Sequence, residues 1–332
     1  MKLVARSLSL WGRAGVRVPL AAIVVTLLLP LVLPNAALTV YVFIGLDTVV
    51  VAGLSLLMGF AGQVSLGQAA FYAIGAYTAG LLARNLGVPA PLALVVAPMF
   101  TAACAYVVGL PLLRLRGHAL AFGTLAFQLI VLSAIGEARE LTGGDTGLPG
   151  IPSLSGPFKP IIFGYVVWAL VALVLLFNWN LVRSRPGRAL RALATSESAA
   201  LGSGVPVVPY KLQVFALSAA YAGLAGAVYA FFVSYIAPGS FPVLLSIQFL
   251  IMAAVGGLGS VWGPAVGATL VFLAVQLLQT LGTLGGMPLR APAIFSYAVY
   301  GLALVLVMLR LPQGVVPTIE GYVRRPRYTS RP

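Results

Sequence analysis

The chain has 332 residues, of which 61% are hydrophobic and only 8% charged, with a formal net charge of +14. Soluble domains carry about 25% charged residues, so a fully water-facing surface is excluded and lipid must replace water around much of the chain. A single cysteine, Cys104, and a single histidine, His118, exclude an intrachain disulfide and any multi-histidine metal site.

A membrane-spanning helix needs about 20 mostly apolar residues. Lys2, Arg6, Arg13 and Arg17 precede the first such run, Val18–Leu33. No small-residue cleavage site follows it, only Pro34-Asn35 and another apolar run, so it reads as a retained helix rather than a signal peptide. The further candidates are Leu38–Met58, Val64–Ala83, Ala90–Leu113, Ala119–Gly136, Ile161–Val182, Leu212–Tyr235, Phe241–Val255, Val261–Leu281 and Ala291–Leu309. The expected fold is an all-α, polytopic membrane helical bundle of about ten transmembrane helices. A basic segment, 1–17, precedes the membrane domain, 18–312, and a basic tail, 313–332, follows it.

Charge orients this bundle. With the N-terminus inside and ten crossings, Arg84, Arg139, Lys159 and Arg290 alone lie outside, and the other 16 of the 20 Lys and Arg lie inside. That asymmetry predicts cytoplasmic termini at both ends. It also accounts for the net charge: no basic stripe is interleaved with aromatics, so no nucleic-acid partner is expected.

Four features stand out. The first is Gly59-Phe60-Ala61-Gly62-Gln63-Val64-Ser65-Leu66-Gly67-Gln68, continuing through Phe71, Gly75 and Tyr77. Its glycines permit either non-helical backbone along a translocation path or close helix packing, and the residues alone leave both readings open. A weak echo, Gly256-Gly257-Leu258-Gly259, follows the eighth candidate helix. The second feature is Asp47, the one carboxylate well inside an apolar run. An intramembrane carboxylate is a functional candidate, unless it faces a partner subunit or bonds Thr48 or Ser55.

The third feature is the outer segment from Glu137 to Pro160, with Thr142, Gly143, Gly144, Asp145 and Gly147. The fourth is the inner segment from Arg183 to Lys211. Pro186 suits a helix start, and Leu190, Leu193 and Leu201 are placed to form an apolar stripe. This short helix reads either as a docking knob for a soluble partner or as a surface helix with arginines at the lipid headgroups. The sequence holds no phosphate loop, no clustered metal ligands and no serine paired with a base, so no catalytic residue is assigned. The scarcity of Asp, Glu and His also argues against a proton-coupled carrier.

The order and spacing of four stretches carry a resemblance: Gly59–Tyr77; Arg114-Leu115-Arg116-Gly117-His118 with Thr124–Phe127; Leu141-Thr142-Gly143-Gly144 with Gly147-Leu148 and Gly150-Ile151-Pro152; and Gly187 through Tyr210-Lys211, Ala222–Gly226, Ser246 and Gly256–Ser260. Over roughly residues 38–312 the chain resembles the permease subunits of branched-chain amino-acid ABC importers, specifically the longer of the two paired permeases.

The resemblance implies an ATP-driven importer. A second homologous permease would complete the path, two cytoplasmic ATP-binding subunits would hold ATP and Mg, and an extracytoplasmic solute-binding protein would deliver cargo. This chain itself would bind no cofactor or metal and would lie in a bacterial cytoplasmic (inner) membrane. Asp47, Gly59, Gly62, Gln63, Ser65, Gly67, Gln68, Phe71, Gly75 and Tyr77 are then the path candidates. Gly187, Arg188, Arg191, Ala192, Glu197, Ala200 and Gly202 would belong to the ATPase-coupling loop, and Thr142, Gly143, Gly144 and Gly147 to an external loop. Departures at Ala194, Thr195, Ser196, Leu201, Gln68, Ala119, Pro206 and Pro209 bear on the loop's contacts and on the substrate. The alternatives are a permease for urea or amides, or a self-sufficient channel or carrier.

Overall fold

The computed structural model describes residue 30 and residues 33–115, 117–153, 159–282, 301–302 and 314–318. The runs Val18–Leu33 and Ala291–Leu309 fall almost entirely outside these, as does most of both basic tails.

The described chain is a helical bundle. Its long helices are α1 (Asn35–Ser55), α2 (Gln68–Asn85), α3 (Ala90–Leu112), α4 (His118–Glu137), α6 (Lys159–Arg183), α9 (Val207–Val233), α10 (Val243–Gly256) and α11 (Gly263–Gly282). Short helices α5 (Arg139–Thr142), α7 (Arg185–Thr195) and α8 (Glu197–Gly202) lie at the loops. One departure from an all-α fold is a two-residue pairing of β1 (Leu148–Pro149) with β2 (Tyr235–Ile236), antiparallel, Leu148 opposite Ile236.

Six of the described helical stretches are long and apolar enough to cross a membrane, and Gly263–Leu277 is a shorter apolar one. The helix α2, drawn from the expected span Val64–Ala83, is not among the six. It starts only at Gln68, because residues 62–67 leave helical geometry.

Two helices form the centre. The stretch through α1 is 89% buried and that of α9 is 72% buried, against 22–33% for α3, α4 and α6. α9 packs most extensively on α2 and α3, and α1 on α6, α11 and α9. A helix apolar on every side must be buried or face lipid, and these two are buried. Threonines within the spans close their own hydroxyls on the preceding turn: Thr48 donates to the Ile44 carbonyl at 2.7 Å and Thr101 to Ala97 at 2.8 Å. With no water in a bilayer core, every polar group needs such an internal partner.

Small residues set the spacing of the centre. A Cβ on Gly75 would strike the Gly223 carbonyl, and one on Gly226 the Tyr72 carbonyl, so α2 and α9 touch backbone to backbone. Close approach of this kind is one of the sources of helix association where lipid removes the hydrophobic drive. A polar clamp adds to it: the Tyr221 hydroxyl of α9 donates to Asn178 Oδ1 of α6 at 2.9 Å, and Asn178 Nδ2 donates to the Ala52 carbonyl of α1 at 3.3 Å.

Candidate functional site

The glycine-rich stretch after α1 is where the bundle departs from regular geometry. α1 ends in a π-helical turn, Leu56–Phe60, and the Gln63 amide then donates to the Leu57 carbonyl at 3.1 Å. Gly62 precedes it at φ +66°, a conformation that favours glycine. A Cβ on Gly59 would collide with the backbone nitrogen of Gly259, so the two glycine clusters noted in the sequence meet directly.

The break and the start of α2 are held by side chains from other helices. The Leu66 amide donates to Thr124 Oγ1 of α4 at 2.9 Å, and the Ala69 amide to Ser246 Oγ of α10 at 2.9 Å. Ser246 in turn donates to Gln128 Oε1 at 2.7 Å, and Gln68 Nε2 donates to Ser218 Oγ of α9 at 2.8 Å. Three helices therefore hold the N-terminus of a fourth, and two of them satisfy amides that an α-helix and the break before it leave open. Ser65 stays local, accepting from the Gly67 amide at 3.4 Å. Gln63 is buried with neither side-chain amide atom partnered, and Gln68 Oε1 and the Tyr77 hydroxyl are likewise buried and unpartnered.

The other path candidates separate from this site. Gly75 serves the α2–α9 seam. Phe71 is a packing residue, its ring 5.5 Å from Phe215 and 5.3 Å from Phe127. Asp47 is buried on α1 but does not bond Thr48, which turns back to Ile44, or Ser55, which donates to the Ser260 carbonyl at 3.5 Å. Thr124, Gln128 and Ser218 were not among the predicted site residues. Their signal was a polar side chain inside an apolar run, which is costly unless it has work to do.

Residues 137–153 of the segment expected outside fold as a cap. Gly143 is left-handed, and Thr142 Oγ1 donates toward the Ile135 and Ala138 carbonyls at 2.6 and 2.8 Å while accepting from the Gly144 amide at 3.2 Å. Gly147 lies against the Ile236 carbonyl, where a side chain has no room, and the Tyr235 hydroxyl donates to the Thr146 carbonyl at 2.9 Å. Beneath the cap an apolar cavity of about 590 Å³ opens between α2 and α4, lined by Ile74, Tyr77, Leu81, Val131, Ile135 and Thr142 among others.

At the opposite end, the segment expected inside folds as two helices, α7 and α8. Ser184 caps α7 by accepting from the Gly187 amide at 3.5 Å, and Ser196 caps α8 by accepting from Ala199 at 3.3 Å. Gly187 packs against the Leu181 and Val182 carbonyls, too close for a side chain. Glu197 pairs with Lys211 at the start of α9. Leu190, Leu193 and Ala200 point inward, whereas Leu201 is 60% exposed and drops out of the expected apolar stripe because it lies on α8, beyond the turn at Ser196. Arg188, Arg191, Ala192 and Gly202 face outward, while Gly187 and Ala200 are buried and anchor the segment. Gly62, the glycine of the break, lies 3.3 Å by its would-be Cβ from the Ala194 Cα of α7.

Residues 36–308 match the family described as branched-chain amino acid transport system / permease component. The chain belongs to that family. It is 32% identical over 305 residues to the LivM permease protein of a high-affinity branched-chain amino acid transport system in Salmonella typhimurium, covering 84% of this chain and 68% of that protein. The Escherichia coli counterpart matches to the same extent, 32% over 305 residues with coverage of 84% and 68%. A probable LivM protein of Methanocaldococcus jannaschii is 26% identical over 237 residues, 68% of each chain. No solved structure matches the chain. Family membership and the apolar helices together make this a multi-pass membrane transport permease. Among the described residues, no group of three or more His, Cys, Asp or Glu is placed to hold a metal.

Proposed function

We propose that this chain is the transmembrane permease subunit of an ATP-driven ABC importer for branched-chain or related hydrophobic amino acids. It forms the translocation path with a second homologous permease in a bacterial inner membrane. ATP and Mg bind to two partner ATPases, and a solute-binding protein delivers cargo on the other side. One observation supports this most: α7, in the basic inner segment, rests by Ala194 on Gly62, the glycine that opens the break after α1. A push on α7 from a docked ATPase would therefore reach the non-helical break between two bundle helices, and broken helices of this kind build transport routes.

The composition is tested by gentle pull-down of the tagged chain from its native membrane. A second permease and two ATPase chains are the expected companions; recovery of this chain alone would overturn the importer reading in favour of a channel or carrier. In the reconstituted assembly, Arg188→Ala with Glu197→Gln should leave ATP hydrolysis running while amino-acid uptake falls. Uptake that stays in proportion to hydrolysis would remove these residues from coupling. Competition of uptake by leucine, isoleucine and valine against urea and simple amides decides the cargo.

A further inference from the structure

The end of α6 and the start of α11 meet in a cluster of which the transport reading uses Arg188 alone. The Arg183 guanidinium carbon sits 3.6 Å from the centroid of the Trp179 ring. The Trp179 ring in turn lies 6.2 Å from Trp262, which immediately precedes α11, at an interplanar angle of 52°. Trp262 is 44% exposed, and Arg183, Arg185 and Arg188 are exposed beside them. Arg188 Nη1 donates to the Arg183 carbonyl at 3.4 Å, which holds a second cation next to the first.

This cluster offers donors and no anion. In the stretch from Arg183 to Lys211 the one carboxylate is Glu197, and it is already paired with Lys211. Stacking over an indole fixes the plane of a guanidinium and leaves its N–H edge free for an oxyanion, the geometry that favours bidentate phosphate contact. Depth agrees. A helix of 25 residues such as α6 is about 37 Å long, longer than the roughly 30 Å hydrocarbon core. Its last turn therefore reaches the headgroups, where tryptophans concentrate. Basic pockets between transmembrane helices at that depth hold anionic headgroups.

We propose that Trp179, Arg183 and Trp262, with Arg185 and Arg188 at the rim, form a binding site for the phosphodiester headgroup of an anionic phospholipid. The two indoles border the acyl glycerol region and Arg183 takes the phosphate. The core of the site, Trp179, Arg183 and Trp262, depends on the membrane placement of α6 and not on the cargo.

The test uses the full chain in nanodiscs, with retained lipid counted by native mass spectrometry after release. The probes are phosphatidylglycerol and phosphatidylcholine supplied in equal amounts. The wild-type chain should retain phosphatidylglycerol preferentially. Arg183→Gln should reduce that preference by about fivefold, the factor one arginine at an anionic surface contributes. Arg183→Lys, which keeps the charge but loses the planar stack, should give an intermediate value with an unchanged unfolding midpoint, showing that folding is not the cause. Equal retention of the two lipids by the wild type would overturn the proposal. So would an Arg183→Gln chain that keeps its lipid preference but no longer co-purifies ATPase chains, since the arginine would then serve a protein partner.

Discussion

Gly67→Ala isolates the contact between the helix break and α4. The backbone of Gly67 has φ −109°, which alanine adopts without strain, so only space is at issue. An added Cβ would lie 2.6 Å from the Thr124 carbonyl oxygen and 3.2 Å from its carbon. Ordinary van der Waals contact would require the break to withdraw by about 0.8 Å. The neighbouring Leu66 amide is 2.9 Å from Thr124 Oγ1 on the same residue, so a withdrawal of that size takes it past hydrogen-bonding distance. Overpacking costs about 1–3 kcal/mol, and a buried amide left without a partner about 1–3 kcal/mol more. The expected loss is thus about 2–6 kcal/mol. It is read from thermal or denaturant unfolding of the purified chain in detergent, beside Gly202→Ala as a control. Gly202 ends α8 with nothing within 4 Å of a would-be Cβ. A Gly67→Ala chain as stable as the control would refute the claim that Thr124 seats the break.

Gln63→Leu should raise the unfolding free energy by about 1–3 kcal/mol, because it removes two buried, unpartnered amide atoms; a destabilised variant would show that those atoms are satisfied, and uptake measured alongside would show whether the amide serves transport. Asn178→Leu should cost about 1–3 kcal/mol, since it strands the buried Tyr221 hydroxyl, whereas Asn178→Leu combined with Tyr221→Phe should recover most of that loss in a double-mutant cycle. Gly75→Leu should prevent α2 and α9 from meeting and abolish recovery of folded chain on size exclusion, while Gly202→Ala should leave it unchanged.

The spans were legible because a long apolar run in a chain this poor in charge has few other uses. Leu38–Met58, Ala90–Leu113 and Ile161–Val182 correspond closely to α1, α3 and α6. The start of α2 was not legible: Val64 to Gly67 is no less apolar than the first turns of α2 itself, and its non-helical course is fixed by Thr124, 58 positions beyond Leu66. The meeting of Gly59 with Gly259 was visible only as an echo of composition, since nothing in either cluster encodes the other's position. Leu201 was misplaced because helical spacing was carried through Ser196, where the backbone turns at φ −161° and a new helix begins. Thr142 and its glycines were found as a motif, but the pairing of Leu148 and Pro149 with Ile236 and Tyr235, and the contact of Gly147 with Ile236, needed the fold.

The capping of α2 by residues far along the chain bears on how the protein is made. Ser218 is 150 positions beyond Gln68, and Ser246 is 177 positions beyond Ala69. A ribosome adds about 5–20 residues each second, so about 8–35 seconds separate the emergence of α2 from that of the groups that complete its first turn. During that interval the open amides cannot rest against lipid tails without a penalty. The nascent helix must wait beside the insertion machinery or in hydrated surroundings until α10 arrives, and a chain ending before Ser246 would leave the Ala69 amide open.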